Sequence, residues 1–297
     1  KPLALCAVTE PDELRELTRA HPLAIHADPE DAVRALALGL SREPEASVGE
    51  PMEPLPASER IARVLAGCRV SSRDPTGAET LAMLALAGLR VAPGRPISDL
   101  DDGLRAAREM DFPLVLKLDA EGVLHKSDLG GVVLGIQDER GLRDAFLSLS
   151  ETLSHLPDSV RHPGLLLQRQ EPDGLELILG ARRDPCFGPV VLVGMGGIFA
   201  EILEDIAIRV APVGVAEARR MLAGLRGAPL LGGTRGRSAQ GIDGVVLAVR
   251  ALSRLMIAFP EIEDIDVNPM RTRPDPEPPV ALDARMRLRR DPHQNSS

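Results

Sequence analysis

Apolar residues recur along the chain with two periods, and each predicts its own kind of element. Leu142, Phe146, Leu149 and Leu153 are spaced by four, three and four, which places them on one stripe of a helix. Leu114–Leu118 and Val132–Ile136 are short apolar runs of strand length. Further strands are expected near Leu165–Gln168, Leu175–Gly180, Val190–Val193, Ile206–Ala211, Ile262–Val267 and Val280–Asp283, and helices near Val215–Leu225 and Gly241–Phe259. Thr76 and Glu79 have the spacing of a capping box ahead of Leu81, Leu84 and Ala85, with Gly88 as the stop. Ser98 is expected to cap a helix ending near Met110, and Asp119–Gly131 to form a loop.

Ahead of this region the pattern changes. Leu3–Val8 and Leu23–His26 read as short strands, Glu10–Arg19 as a helix, and Asp28-Pro29-Glu30-Asp31 opens another helix with Val33, Leu36, Ala37 and Leu40 on its apolar face. Acidic residues in that first turn suit the helix dipole. This strand–helix alternation is an α/β unit too small to stand alone, expected to be the end of a preceding domain of a longer protein. Residues 44–58 carry four prolines and little period. They form a linker, taken to run over 44–70, ahead of a main domain at 71–288 and a polar, disordered tail at 289–297.

Composition narrows the function. The chain has 297 residues, a net charge of -9, 2% aromatics and neither Trp nor Tyr. It lacks the basic footprint and stacking platforms of a nucleic-acid binder. The three cysteines Cys6, Cys68 and Cys186 make no disulfide framework or paired metal spacing, and no apolar run reaches the roughly 18 residues of a membrane helix. A cytoplasmic protein without nucleic-acid or membrane partners is expected, and oligomerisation stays open.

Four segments carry candidate chemistry. Lys117 ends an apolar strand, a costly place for a cation without an anion. The segment His125-Lys126-Ser127-Asp128-Leu129-Gly130-Gly131 then offers backbone N–H groups to phosphate oxygens; an ordinary surface hairpin is the alternative. Gly194-Met195-Gly196-Gly197 follows a strand and implies close backbone approach or a tight packing turn. In Asp264-Ile265-Asp266-Val267-Asn268-Pro269, Asp266 and Asn268 share one strand face, and Asp283 can sit beside them. Such oxygens suit Mg²⁺, and equally a solvated polar face. Gly232-Gly233-Thr234-Arg235-Gly236-Arg237 is a basic glycine-rich loop, either anion-binding or mobile.

In order, these segments resemble the ATP-grasp domain of ADP-forming acetate/acyl-CoA synthetases, a family related to the succinyl-CoA synthetase β subunit. The resemblance rests on FPLVLKLDAEGVLHKSDLGGVVLGI, LELILGARRDPCFGPVVLVGMGGIFAEILEDIAIRVAP, PLLGGTRGR and IEDIDVNPM, and covers about residues 72 to 286. Asp119-Ala120-Glu121-Gly122 departs from the family's Ser-Pro-Asp/Glu segment. The implied fold is α+β (α/β), two ATP-grasp subdomains gripping ATP, preceded by a remnant of a flavodoxin-like CoA-ligase module.

The resemblance also implies roles. Lys117 contacts nucleotide phosphates, and Lys126, Asp128, Gly130 and Gly131 belong to the loop over them. His125 carries phosphate near the nucleotide. Gln168, Arg169 and Gln170 form the hinge beside adenine, with Glu176 near the ribose. Asn268 and Asp283 hold Mg²⁺, with Asp266 close by, and Arg235 faces phosphates or an arriving phosphohistidine. The implied cofactors are ATP/ADP and Mg²⁺. The implied partners are CoA-binding and ligase modules, in cis or as a separate subunit. The alternative is a ligand-sensing regulatory domain fused to a protein lysine acetyltransferase.

Overall fold

The computed structural model describes residues 4–20, 25–33, 35, 54–55, 57–121, 129–156, 161–197, 205–233 and 240–289. The chain forms two units, residues 1–50 and 51–297. In the first, strand β1 (Leu5–Cys6) pairs in parallel with β2 (Ile25–His26), and helix α1 (Pro11–Ala20) makes the crossover between them. A parallel pair needs such a crossover, because a tight turn would reverse the strand. Residues 29–33 are helical, and Asp28 Oδ1 accepts the Glu30 amide at 2.6 Å.

The second unit starts earlier than the proline content implied. Residues 58–70, expected as linker, form helix α2 (Ser58–Val70), whose Ile61, Leu65 and Cys68 are buried in the larger core. Their spacing of four and three is a helical stripe; the prolines of the segment stop at Pro56. Helix α3 (Gly77–Leu86) has the expected capping box: the Glu79 amide donates to Thr76 Oγ1 at 3.2 Å, and Glu79 Oε2 accepts the Thr76 amide at 2.9 Å. The chain leaves the helix through Gly88 at φ +102, a conformation open to glycine.

A four-stranded antiparallel sheet follows, in the order β3 (Gly94–Ile97), β6 (Arg161–Arg169), β4 (Leu114–Glu121), β5 (Val132–Ile136). Helices α4 (Leu100–Met110) and α5 (Glu139–Ser154) cover one face. Leu104, Ala107, Leu116, Leu118, Leu142, Leu149, Leu165 and Leu167 fill the core between them. The cap of α4 is Asp99 rather than Ser98: Asp99 Oδ1 accepts the Asp102 amide at 2.8 Å, and Ser98 Oγ donates to Asp99 Oδ2 at 3.0 Å. The loop expected from Asp119 starts later, because β4 continues to Glu121.

The larger sheet runs β11 (Val280–Ala281), β10 (Ile262–Arg271), β7 (Glu176–Asp184), β8 (Gly188–Met195), β9 (Ile206–Val210), with β12 (Ala284–Leu288) also paired to β10. Helices α2, α3, α6 (Val215–Ala223) and α8 (Ile242–Ala258) contribute to its core with Leu177, Leu179, Val191, Val193, Ile265 and Val267. A short helix α7 (Ala228–Leu231) follows α6. Of the strand expected over 280–283 only Val280–Ala281 forms; Leu282-Asp283 is a kink, and a further strand follows at Ala284–Leu288.

Gln170–Leu175 carries the chain from β6 of the smaller sheet to β7 of the larger one. This hinge lies tight on the end of β10. The Thr272 amide donates to Leu175 O at 2.8 Å, and a Cβ on Gly174 would stand 2.2 Å from Thr272 O. Only a residue without a side chain fits there.

Candidate functional site

Strand alternation builds the site. On β4, Leu114, Leu116 and Leu118 enter the smaller core, so Val115, Lys117 and Asp119 turn to the other face. Lys117 is only 4% exposed, which makes its cationic head dependent on partners. Its Nζ donates to Leu282 O at 2.6 Å and lies 3.7 Å from Asp283 Oδ1. Those partners belong to the kink between β11 and β12, so the lysine of one sheet reaches the other.

The kink is held in turn by β10. The Asn268 backbone N–H donates to Asp283 O at 3.1 Å, and Leu282 N donates to Pro269 O at 3.0 Å. Lys117 is thus linked through Leu282-Asp283 to the backbone of Asn268, the lysine being far away in sequence from the other two. Asp266 lies two residues before Asn268, on the strand face opposite the buried Ile265 and Val267. Burial pushes its carboxyl up; Arg285 opposes this, while the negative charges of Asp264 and Asp283 add to the rise. Among the described residues no three His, Cys, Asp or Glu side chains converge as a metal cage. Mg²⁺ commonly takes one or two carboxylates and completes its shell with phosphate oxygens and water. Asp283, Asp266 and the amide oxygen of Asn268 are oxygen donors of that kind, and in donor chemistry they fit.

The glycine loop opens beside the lysine. Gly130 is exposed at φ +65, and Gly131 O accepts the Leu118 amide at 2.8 Å. Val132 is the register partner of Lys117. His125, Lys126, Asp128 and Arg235 lie outside the described residues.

At the hinge the expected residues separate. Gln168 is buried and donates its amide to Ala92 O at 3.3 Å, and its register partner on β3 is Gly94, where a Cβ would come 2.9 Å from Leu167 O. Arg169 is exposed, its amide bound to Pro93 O at 2.8 Å. Gln170 turns back to β5, where its Oε1 accepts the Gly135 amide at 2.6 Å. Glu176 opens β7, with Oε1 accepting from Arg271 at 2.8 Å, and its backbone carbonyl accepts the Gly196 amide at 2.7 Å.

Two residues went unseen in the sequence. Asp119 departs from the family pattern, yet its buried carboxylate accepts the Gly77 amide at 2.7 Å and the Ala78 amide at 3.1 Å, capping α3. It therefore fixes the strand carrying Lys117 against the larger core. Arg271 gave no signal beyond its place three residues after Asn268. It acts through β10–β7 pairing, in which Arg271 and Glu176 are register partners.

Lys117 of one sheet thus meets the Leu282-Asp283 kink of the other, and a family profile described as ATP-grasp domain matches residues 70–288. The chain belongs to the ATP-grasp family. Similar proteins include the acetate–CoA ligase [ADP-forming] I of Archaeoglobus fulgidus, 33% identical over 264 residues, or 88% of this chain and 38% of that one. The β subunit of acetate–CoA ligase [ADP-forming] I of Pyrococcus furiosus is 31% identical over 77% of this chain and 100% of that one. Among solved structures, the dinucleotide-forming acetyl-coenzyme A synthetase 1 of Ca. Korarchaeum cryptofilum, in complex with coenzyme A and Mg-AMPPCP and with its phosphohistidine segment pointing towards the nucleotide binding site, superposes with a TM-score of 0.67. It is 31% identical and covers 77% of this chain and 100% of that one. The chain thus covers the whole β subunit of one relative and well under half of the length of another. No helix among the described residues is long and apolar enough to cross a membrane.

Proposed function

We propose that this chain is the nucleotide-binding part of an ADP-forming acyl-CoA (acetate–CoA) ligase, passing phosphate between ATP/ADP and phosphohistidine as acid and acyl-CoA interconvert. The observation that carries this reading is the Lys117–Asp283–Asn268 link joining the two sheets. Its support among relatives is the Pyrococcus β subunit, which the chain covers from end to end.

Phosphoryl transfer asks a protein mainly for positioning and charge neutralisation. Lys117 lies deep between the sheets, where a phosphate would replace Leu282 O as acceptor of its protons. The amides after Gly130 lie beside it and would follow the phosphate oxygens. Asn268, Asp283 and Asp266 would hold Mg²⁺, which when bound neutralises phosphate charge. Glu176 would take the sugar, and Gln168–Gln170 would line the base through backbone groups. His125 would act as the carrier: its ring nitrogen forms a bond to the γ-phosphorus as the bond to the β–γ bridging oxygen breaks and ADP leaves. In reverse, ADP takes the phosphate back. Lys126 and Asp128 would set the ring's charge, and Arg235 would meet the phosphate. The acid and CoA steps fall to modules outside this chain, in cis or as a separate subunit. No observation favours the regulatory alternative.

Calorimetric titration with ATP and ADP, with and without Mg²⁺, tests the proposal. Saturable Mg²⁺-dependent binding is expected, and it should be lost in the Lys117→Ala, Asn268→Ala double variant. An unsubstituted chain that binds neither nucleotide would overturn it.

A further inference from the structure

The two oxygens of Glu176 have different surroundings. Oε1 accepts from Arg271 Nη2 at 2.8 Å. Oε2 faces Gly197, a glycine at φ +61 where an added Cβ would stand 3.6 Å away. The neighbouring Gly196 is pressed against the Glu176 backbone, since a Cβ there would come 2.9 Å from its carbonyl carbon. Gly197 therefore puts no side chain of its own against the Oε2 edge of this carboxylate, while an arginine holds Oε1.

The same guanidinium also fastens the hinge. Arg271 Nη1 donates to Glu171 O at 3.1 Å and Pro172 O at 3.4 Å, and lies 3.7 Å from Asp173 Oδ1. Its side chain is 19% exposed, and hydrogen bonds from a charged guanidinium are stronger than those between neutral groups. A planar guanidinium can hold a carboxylate and two carbonyls in one fixed fan, which an ammonium cannot.

We propose that Arg271 is a positioning residue. It pins Glu176 by Oε1 and the hinge by its carbonyls, so that Oε2 is presented to a sugar hydroxyl, and it thereby sets the preference for a ribonucleotide over its 2′-deoxy form. This rests on the nucleotide reading above. A carboxylate is an acceptor only and reads O–H donors. A pinned one cannot turn away when a hydroxyl is missing, and its Oε2 then lacks that donor. Sites built to bond a hydroxyl discriminate strongly against analogues without it.

The test measures dissociation constants for Mg·ATP and Mg·2′-deoxy-ATP on the 297-residue chain, Arg271→Met, Glu176→Gln and the double variant. A charge-assisted bond predicts that the unsubstituted chain favours ATP by about tenfold or more. In Arg271→Met the ratio should fall towards one, chiefly through weaker ATP binding, and in the double variant it should match Glu176→Gln alone, as for residues acting as one unit. Arg271→Lys should restore only part of it. An Arg271→Met chain that binds both nucleotides more weakly with an unchanged ratio would make Arg271 a hinge brace and overturn the proposal. So would an unsubstituted chain that binds both nucleotides alike. Should Arg271→Met fail to fold, Arg271→Lys and Glu176→Gln decide, since an intact ratio in Glu176→Gln also overturns it. Binding of neither nucleotide by the unsubstituted chain is a separate result and removes the nucleotide reading itself.

Discussion

At the scale of single residues, Lys117 separates stability from function. Its ammonium sits on a carbonyl and beside a carboxylate whose side chain is 27% exposed. Lys117→Met keeps the buried stem and removes the charge. Asp283 retains access to water, so the penalty of an abandoned buried charge is reduced. Denaturant unfolding should show a loss of about 1–2 kcal/mol, the order of a lost hydrogen bond to a charged group, while ATP affinity should drop by at least about tenfold, since a phosphate contact vanishes. Equal losses in both would make Lys117 structural. Glu79 offers a pH test. Burial raises its carboxyl, but the Arg73 hydrogen bonds and the Thr76 amide outweigh that and hold it below its usual 4.5. A carboxyl lowered in the folded state gives stability that is present above the unfolded-state value and is lost as pH falls through the folded one. Acid unfolding of the Glu79→Gln variant should therefore depend less steeply on pH below about 4.5 than that of the parent chain. Identical slopes would remove Glu79 from the acid response.

At the scale of elements, what could be read in advance was what local pattern controls. Val132–Ile136 occupies the expected span, and the Thr76/Glu79 box appears as its spacing required. Long-range pairing decided the rest. β3 and β12 are held by partners distant in sequence, β6 and β10, and the Gly and Pro of Gly94–Ile97 gave no strand signal of their own. β12 alternates Ala, Met and Leu inward with two arginines outward, a strand pattern hidden by its high charge. The site shows the same division. Lys117 at the end of an apolar strand was legible, whereas its contact with Leu282-Asp283 depends on how two sheets meet. The helical reassignment of 58–70 has a chemical consequence at Cys68. Burial, with the nearby Glu79 charge, raises its thiol to about 11, while Cys6 and Cys186 are exposed. Thiolate is the reactive form, so a thiol-reactive chromophore should label two cysteines in the native chain and the third only on unfolding. Three fast thiols would return residues 58–70 to a linker.

At the scale of the whole 51–297 unit, each sheet has its own core cluster, with Leu166 of β6 packed into the larger one, and polar ties between them include Lys117 to Leu282, Asp119 to the α3 amides, and the Arg271-bound hinge. Ties of this kind make the relative position of the sheets responsive to a ligand that touches both. A nucleotide bound as proposed contacts the first sheet through Lys117 and the Gly130 loop, and the second through Asn268, Asp283 and Glu176. Ligand at a hundred times its dissociation constant stabilises the folded state by about 2.7 kcal/mol, or about 5–10 °C in melting temperature for a unit of this size. The distribution of that gain identifies the binding mode. Hydrogen exchange with Mg·ATP should slow in β4 around Lys117, in the hinge at Gln170–Leu175, and at Asn268–Asp283 together, while β1, α1 and β2 keep their rates. Slowing confined to the larger sheet would mean that the nucleotide rests on the carboxylates without engaging Lys117, and phosphoryl transfer would then lack its buried cation. Slowing at both sheets that disappears in Lys117→Met would make the lysine the element that draws them together, because the carboxylate side of the site is intact in that variant.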